Sequence, residues 1–136
     1  MGTKPTSEAT RPGLRLAAIS EGMVGLHKEY YGKGPTQAKT YAVNDTILCI
    51  LRGGFTTAEE TLMADDKVDD VQKIRRHFQR TMKDRFTMLV EEALGRSVIG
   101  YMSAVHCDPD VAVELFMLAP ADEPLNGEHE FVQPAS

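Results

Sequence analysis

The chain predicts an α+β fold: a two-layer sandwich of order α-β-β-α-β-β, with a mainly antiparallel four-stranded sheet and both helices on one face. Three observations carry this expectation. Val68–Leu94 repeats apolar residues at helical spacing. Two pairs of short apolar runs, within residues 39–51 and 97–118, are each divided by a tight-turn sequence. Gly-rich breaks at 32–35 and 53–54 separate the two kinds of segment.

Leu14–Tyr30 reads as the first helix, because Leu16, Ile19, Met23, Leu26 and Tyr30 recur at steps of three and four and so share one face. Gly22 and Gly25 each weaken that helix by roughly 1 kcal/mol relative to alanine, or admit a close neighbour. Gly32-Lys33-Gly34-Pro35 stops it. Lys39–Val43 and Thr46–Leu51 follow as strands, and the Asn44-Asp45 pair between them tolerates the positive φ of a tight hairpin.

After Gly53-Gly54, Thr56 with Glu59 and Thr57 with Glu60 each fit a capping box opening a helical turn, with a pause near Ala64–Asp66. The long helix over Val68–Leu94 then ends at Gly95, a natural C′ residue. At about 100° per residue, Val71, Ile74, Phe78, Met82, Phe86, Leu89 and Ala93 form one stripe, and Lys73, Arg76, Arg80 and Lys83 lie opposite. Arg75 falls inside the apolar stripe. Ser97–Cys107 and Val111–Leu118 form the second strand pair around Asp108-Pro109-Asp110. Both sides of the last strand are apolar apart from Glu114, so the sheet face away from the helices needs cover; a homodimer packed sheet to sheet would supply it, the alternative being the N-terminal arm or the tail.

At 136 residues the chain makes one domain with tails. Residues 1–13 read as a disordered arm, 14–118 as the single α+β domain and 119–136 as an acidic disordered tail. The net charge of −5 is uneven: Lys4, Arg11 and Glu8 leave the arm at +1, while Asp122, Glu123, Glu128 and Glu130 put −4 in the tail. An acidic total argues against a general nucleic-acid binder. No stretch approaches the roughly 20 apolar residues of a membrane span, and Met1–Pro12 lacks the apolar core of a secretory signal. The expected location is the cytoplasm. Cys49 and Cys107 have no metal-type spacing and read as reduced, buried thiols. Neither a metal nor a cofactor is expected.

Four groups of residues invite a functional reading. Lys33 and Gly34 in the Gly-rich turn, with Arg75, are candidates for binding a carboxylate or phosphate through backbone N–H groups and cationic side chains. The structural alternative is a helix-to-strand turn with positive φ at both glycines; the P-loop spacing is absent. Arg75 and Glu114 are candidates for a buried ion pair, since a buried charge is normally paired. Lys73, Arg76, Arg80 and Lys83 are candidates for docking an acidic partner, against the commoner alternative of a solvated helix face. His106-Cys107-Asp108 would need His27 or His77 to complete a metal site, and neighbouring strand side chains diverge, which disfavours a Cys107–His106 nucleophile pair.

Tyr31-Gly32-Lys33-Gly34-Pro35-Thr36, Lys39-Thr40-Tyr41, Gly53-Gly54-Phe55-Thr56 with Glu59 and Thr61-Leu62, Ile74-Arg75-Arg76, and Ser103-Ala104-Val105-His106-Cys107-Asp108-Pro109-Asp110 resemble the MpsC family, also called YbcI-like. The match spans about residues 14–118. The resemblance implies a small soluble bacterial protein, the presumed third component of a sodium-translocating, membrane-potential-generating system. Some relatives accompany a large soluble subunit and a quinone-dehydrogenase-like membrane subunit, a pairing also linked to inorganic-carbon uptake. It carries over no catalytic residue. The expectation is a non-catalytic accessory or regulatory subunit with a protein partner, peripheral to the membrane through it; the alternatives are a homodimeric anion sensor and, behind it, a thiol- or His-dependent enzyme.

Overall fold

The computed structural model describes residues 12–133. In chain order the elements are α1 (Pro12–Tyr31), β1 (Gln37–Val43), β2 (Thr46–Arg52), α2 (Thr57–Ala64), α3 (Val68–Leu94), β3 (Val98–His106), β4 (Val111–Leu118) and β5 (Gly127–Val132). The strands form one five-stranded sheet of order β3-β4-β2-β1-β5, and every neighbouring pair is antiparallel. Helix α1 lies over β1 and β5, and α3 lies over β3 and against α1.

The local signals act as expected. Asn44 and Asp45 both take positive φ, 48° and 67°, the geometry of a two-residue hairpin turn. Thr56 and Glu59 form the complete capping box at the start of α2. Gly95 ends α3 in the left-handed conformation, with its N–H on the Glu91 carbonyl at 2.8 Å. Of the three glycines in α1, only Gly22 has a close neighbour: a Cβ there would meet Leu89 Cδ1 at 2.5 Å and force that side chain to shift, whereas at Gly13 and Gly25 it would meet nothing.

Alternation then sorts the strands into two faces. Ala38, Thr40 and Ala42, Ile47, Cys49 and Leu51, and Ala112, Glu114, Phe116 and Leu118 are buried under the helices. They meet Leu16, Ile19 and Met23 from α1 and Met82, Phe86, Val90 and Leu94 from α3.

Two expectations need correction. The sheet has a fifth strand, formed by residues 127–132, where the composition predicts a disordered tail. That segment is acidic, but it alternates: Glu128 and Glu130 turn outward while His129 and Phe131 turn toward the helices beside Thr40 and Ala38. Its approach is pinned by the β1–β2 turn. Asp45 accepts from the Leu125 N–H at 2.8 Å and from Arg96 Nη1 at 2.7 Å, and Leu125 is buried. The arm also ends earlier than expected, because Pro12 and Gly13 belong to α1; residues 1–11 lie outside the described residues.

The second correction concerns the stripe of α3. Ile74 is 45% exposed, and the buried line runs through Val71, Arg75, Gln79, Met82, Phe86, Val90 and Leu94. The helix is turned so that two polar side chains enter the interior, where each finds partners.

Leu125 anchors β5 from outside the strand itself. Leu125→Ala is expected to cost about 2–4 kcal/mol, as for other buried leucines. The check is the urea-unfolding midpoint, which should fall with little change in slope; a wild-type midpoint would return residues 119–126 to the status of an unpacked tail.

Candidate functional site

The register Gln37–Arg52–Val111–His106 aligns the start of β1, the end of β2, the start of β4 and the end of β3. Antiparallel pairing therefore gathers three connections at one end of the sheet: residues 32–36, 53–56 and 107–110. The first turns of α2 and α3 join them. Motif residues separated by tens of positions become neighbours there.

Arg75 and Glu59 are the centre of this cluster, and both are buried. Arg75 Nε donates to Glu59 Oε2 at 2.7 Å and Nη2 donates to Oε1 at 2.6 Å, a two-bond fork. Nη2 also donates to the Gly54 carbonyl at 2.7 Å. The guanidinium carbon lies 4.1 Å from the Tyr31 ring centroid and 4.8 Å from that of Phe55. Tyr31 donates its hydroxyl to Glu59 Oε2, and the Thr56 N–H donates to Oε1 at 2.9 Å. Lys33 Nζ donates to the Phe55 carbonyl at 2.9 Å, and the Phe55 N–H donates to Asp110 Oδ2 at 3.2 Å. One capping-box carboxylate thus ties the end of α1, the β2–α2 connection and α3 together.

Burial alone would raise the Glu59 carboxyl, but the bonds from Arg75, Tyr31 and Thr56 and the Arg75 charge outweigh it and hold the group below its ordinary value. Burial likewise opposes the Arg75 charge, and Glu59 reverses the balance, so the guanidinium is held more firmly protonated. Burial and the adjacent Glu59 push the Tyr31 hydroxyl up. His27, stacked on Phe86 with ring centroids 5.3 Å apart, is lowered by burial to about 4 and is neutral.

The candidate residues separate. Lys33 and Gly34 line an open cleft of about 480 Å³ with Val24, Lys28, Thr36, Phe131 and Gln133. Arg75 instead borders a space of about 10 Å³ shared with His27 and Asp110, room for about one water molecule. Only Gly32 of the two glycines in the turn has positive φ, 92°. Gly34 is needed for closeness, since a Cβ would come within 3.0 Å of the Val24 carbonyl. The basic residues Lys73, Arg76, Arg80 and Lys83 are exposed on the outer side of α3.

The expected Arg75–Glu114 pair is not formed. Glu59 holds the Arg75 fork, and Glu114 is bonded one helical turn further along α3, by Gln79 Nε2 at 3.0 Å, and by the Tyr101 hydroxyl. The sequence marks Glu59 as a capping residue, and a capping carboxylate still has lone pairs to offer, which Arg75 and Tyr31 take up. Gln79 and Tyr101 carried no signal beyond their place on buried faces. His106 Nδ1 lies 3.0 Å from the Pro109 carbonyl oxygen. Of the two thiols expected to be buried, Cys49 is and Cys107, at the β3–β4 turn, is only partly so; desolvation still pushes the Cys107 thiol up, opposite to the shift of an activated thiolate.

Removing one member of the fork strands the other as a buried charge, at a cost of about 3–5 kcal/mol. Glu59→Ala and Arg75→Ala should each lose stability of that order, and the double variant clearly less than their sum. Additive losses in urea unfolding would sever the pair. The Glu59 stabilisation is present above its unfolded value near 4.5 and is lost as pH falls through the lower folded value. Glu59→Gln should accordingly flatten the acid limb of the stability profile.

A family model described as "Na+-translocating membrane potential-generating system (MpsC)" matches residues 13–120. That span runs from the first turn of α1 past the end of β4, takes in the whole polar cluster and stops before β5. No curated protein and no solved structure matches the chain. Most of the stretches that carry the resemblance meet at one end of one sheet, Lys39-Thr40-Tyr41 runs along the middle of β1, and the family model covers them all: the chain belongs to the MpsC family.

Proposed function

We propose that this chain is a non-catalytic accessory or regulatory subunit of a membrane-potential-generating or ion and inorganic-carbon transport system. It docks an acidic protein partner, within a membrane-associated complex, through the outer face of α3. One observation carries the reading: Lys73, Arg76, Arg80 and Lys83 all stand exposed, and none makes an ion pair with another described residue. The neighbouring Arg75 is turned inward and held by Glu59. The helix therefore turns Arg75 into the fold, sets Arg85 over the Tyr30 ring and leaves these four cations facing water. The family description supports the membrane-system setting.

The reading extends to a second copy on the sheet face opposite the helices. Cross-strand rows there run Met102–Leu115–Leu48–Tyr41–Glu128 and Ala104–Val113–Ile50–Lys39–Glu130. Six apolar residues from β3, β4 and β2 make an uncharged centre, and in these two rows the charges begin only at β1 and β5. Five strands about 4.8 Å apart and roughly 23 Å long give a face of about 550 Å² in projection. A standard interface buries roughly 800 Å² per partner, the same order as this face.

Arg76→Glu with Arg80→Glu should weaken capture of the partner complex by at least about tenfold while leaving the melting temperature unchanged, and wild-type capture should weaken with salt. Unchanged capture by the folded variant would remove the stripe from the interface. Val113→Lys should convert a sedimenting dimer to a folded monomer; a wild-type chain that is monomeric at every concentration would sink the second-copy reading.

A further inference from the structure

A polar row crosses the core directly beneath the helices. The register His129–Thr40–Cys49–Glu114–Ser103 places one residue from each of the five strands in line on the helix side of the sheet. Ser20 of α1 bridges its first half, with its hydroxyl 3.2 Å from His129 Nδ1 and 2.7 Å from Thr40 Oγ1. Thr40 Oγ1 donates to Cys49 Sγ at 3.5 Å. In the second half, Gln79 of α3 donates to Glu114 Oε2 at 3.0 Å and to the Ala104 carbonyl at 3.3 Å, and Tyr101 donates its hydroxyl to Glu114 Oε1.

Glu114 has 0% exposure and no cationic partner among the described residues. The groups that act on it are Tyr101 of β3, Gln79 and Arg75 of α3, and Cys49 of β2. Arg75 is committed to Glu59. From α1 come uncharged Ser20 and neutral His27, the latter stacked on Phe86. A carboxylate held only by neutral donors in a dry core is readily protonated.

We propose that Glu114 is a proton-binding site whose occupancy controls how α3 is fastened to the sheet. Ionised, the carboxylate accepts from both Tyr101 and Gln79, and the Gln79 amide fastens α3 to β4 and β3 together. Protonated, the carboxyl has an O–H to donate, and either the Tyr101 hydroxyl or the Gln79 amide must turn to accept it. Turning the amide releases its bond to the Ala104 carbonyl. Because α3 also carries the basic face, the proton reaches the docking surface through one residue; that last step rests on the proposed docking role, and the proton site does not.

The sign of the effect follows from burial. Desolvation raises the Glu114 carboxyl to about 7 against bonds from Tyr101 and Gln79 that lower it. Its stabilisation is full below the unfolded value near 4.5 and is lost as pH rises through about 7. His27, lowered to about 4 from 6.5, acts oppositely and is complete above 6.5. Between pH about 6.5 and 8, the Glu114 slope stands without that opposition.

The test is carbon-detected NMR of the Glu114 carboxyl in the full chain, with melting temperatures across the same pH range. The carboxyl should titrate with a midpoint near neutrality. Tyr101→Phe should move that midpoint up, and Glu114→Gln should flatten the melting-temperature decline above pH about 6.5. A carboxyl that titrates at an ordinary carboxylate value, or not at all, overturns the proposal even if Glu114→Gln fails to fold. Normal titration with pH-independent partner capture would retain the proton site and remove only its link to docking.

Discussion

Arg75 enters the interior of this protein with its charge intact, and the rest of one end of the fold is arranged around that fact. A guanidinium without partners could not be held there, because desolvation of an unpaired ion costs many kcal/mol. Glu59 supplies the opposite charge and two of the bonds, Gly54 supplies a carbonyl, and Tyr31 and Phe55 lay aromatic rings near the cation. An ion pair of this kind is weak evidence for net stability, since an apolar replacement of similar shape would fill the space as well. Its geometry does something an apolar replacement would not. It fixes the relative positions of α1, the β2–α2 connection and α3 through directional bonds.

The sheet gives that end its context. Two helix-hairpin units are joined side by side through β2 and β4, which brings the ends of both hairpins into one row. β5 then covers the β1 side with a short, charged strand, as edge strands often are. One face of the sheet lies under the helices and carries a polar row within an apolar core. The other face has no layer over it among the described residues and carries its apolar side chains in the centre. These two unusual features sit back to back on the same strands, because alternate residues of β2 and β4 serve opposite faces.

Together these features suit a component that holds its shape and presents surfaces. The basic face of α3, the open sheet face and the buried carboxyl are all connected through β4 and α3. Gln79 is the shortest link between them: its backbone belongs to the helix that presents the cations, and its amide holds both Glu114 and the β3 backbone. On the proposed reading, a change at the carboxyl has a short path to a surface through this one side chain.

Much of the fold was legible from local chemistry. The helix caps at Thr56 and Gly95, the Asn44-Asp45 hairpin turn, the bounds of α3 and the alternation of β4 each follow from residue type and spacing within a few positions, where backbone conformation is decided. β5 was not legible, since its acidic composition resembles a tail and its stability comes from β1, Asp45 and Leu125. Arg75 and Glu114 were recognisable as charges placed inside, because helical and strand periodicity put them there. Which partner each would take was settled only by the packing of α3 against α2 and the sheet. Periodicity reports which way a side chain points, whereas a hydrogen bond depends on distances between elements far apart in the chain.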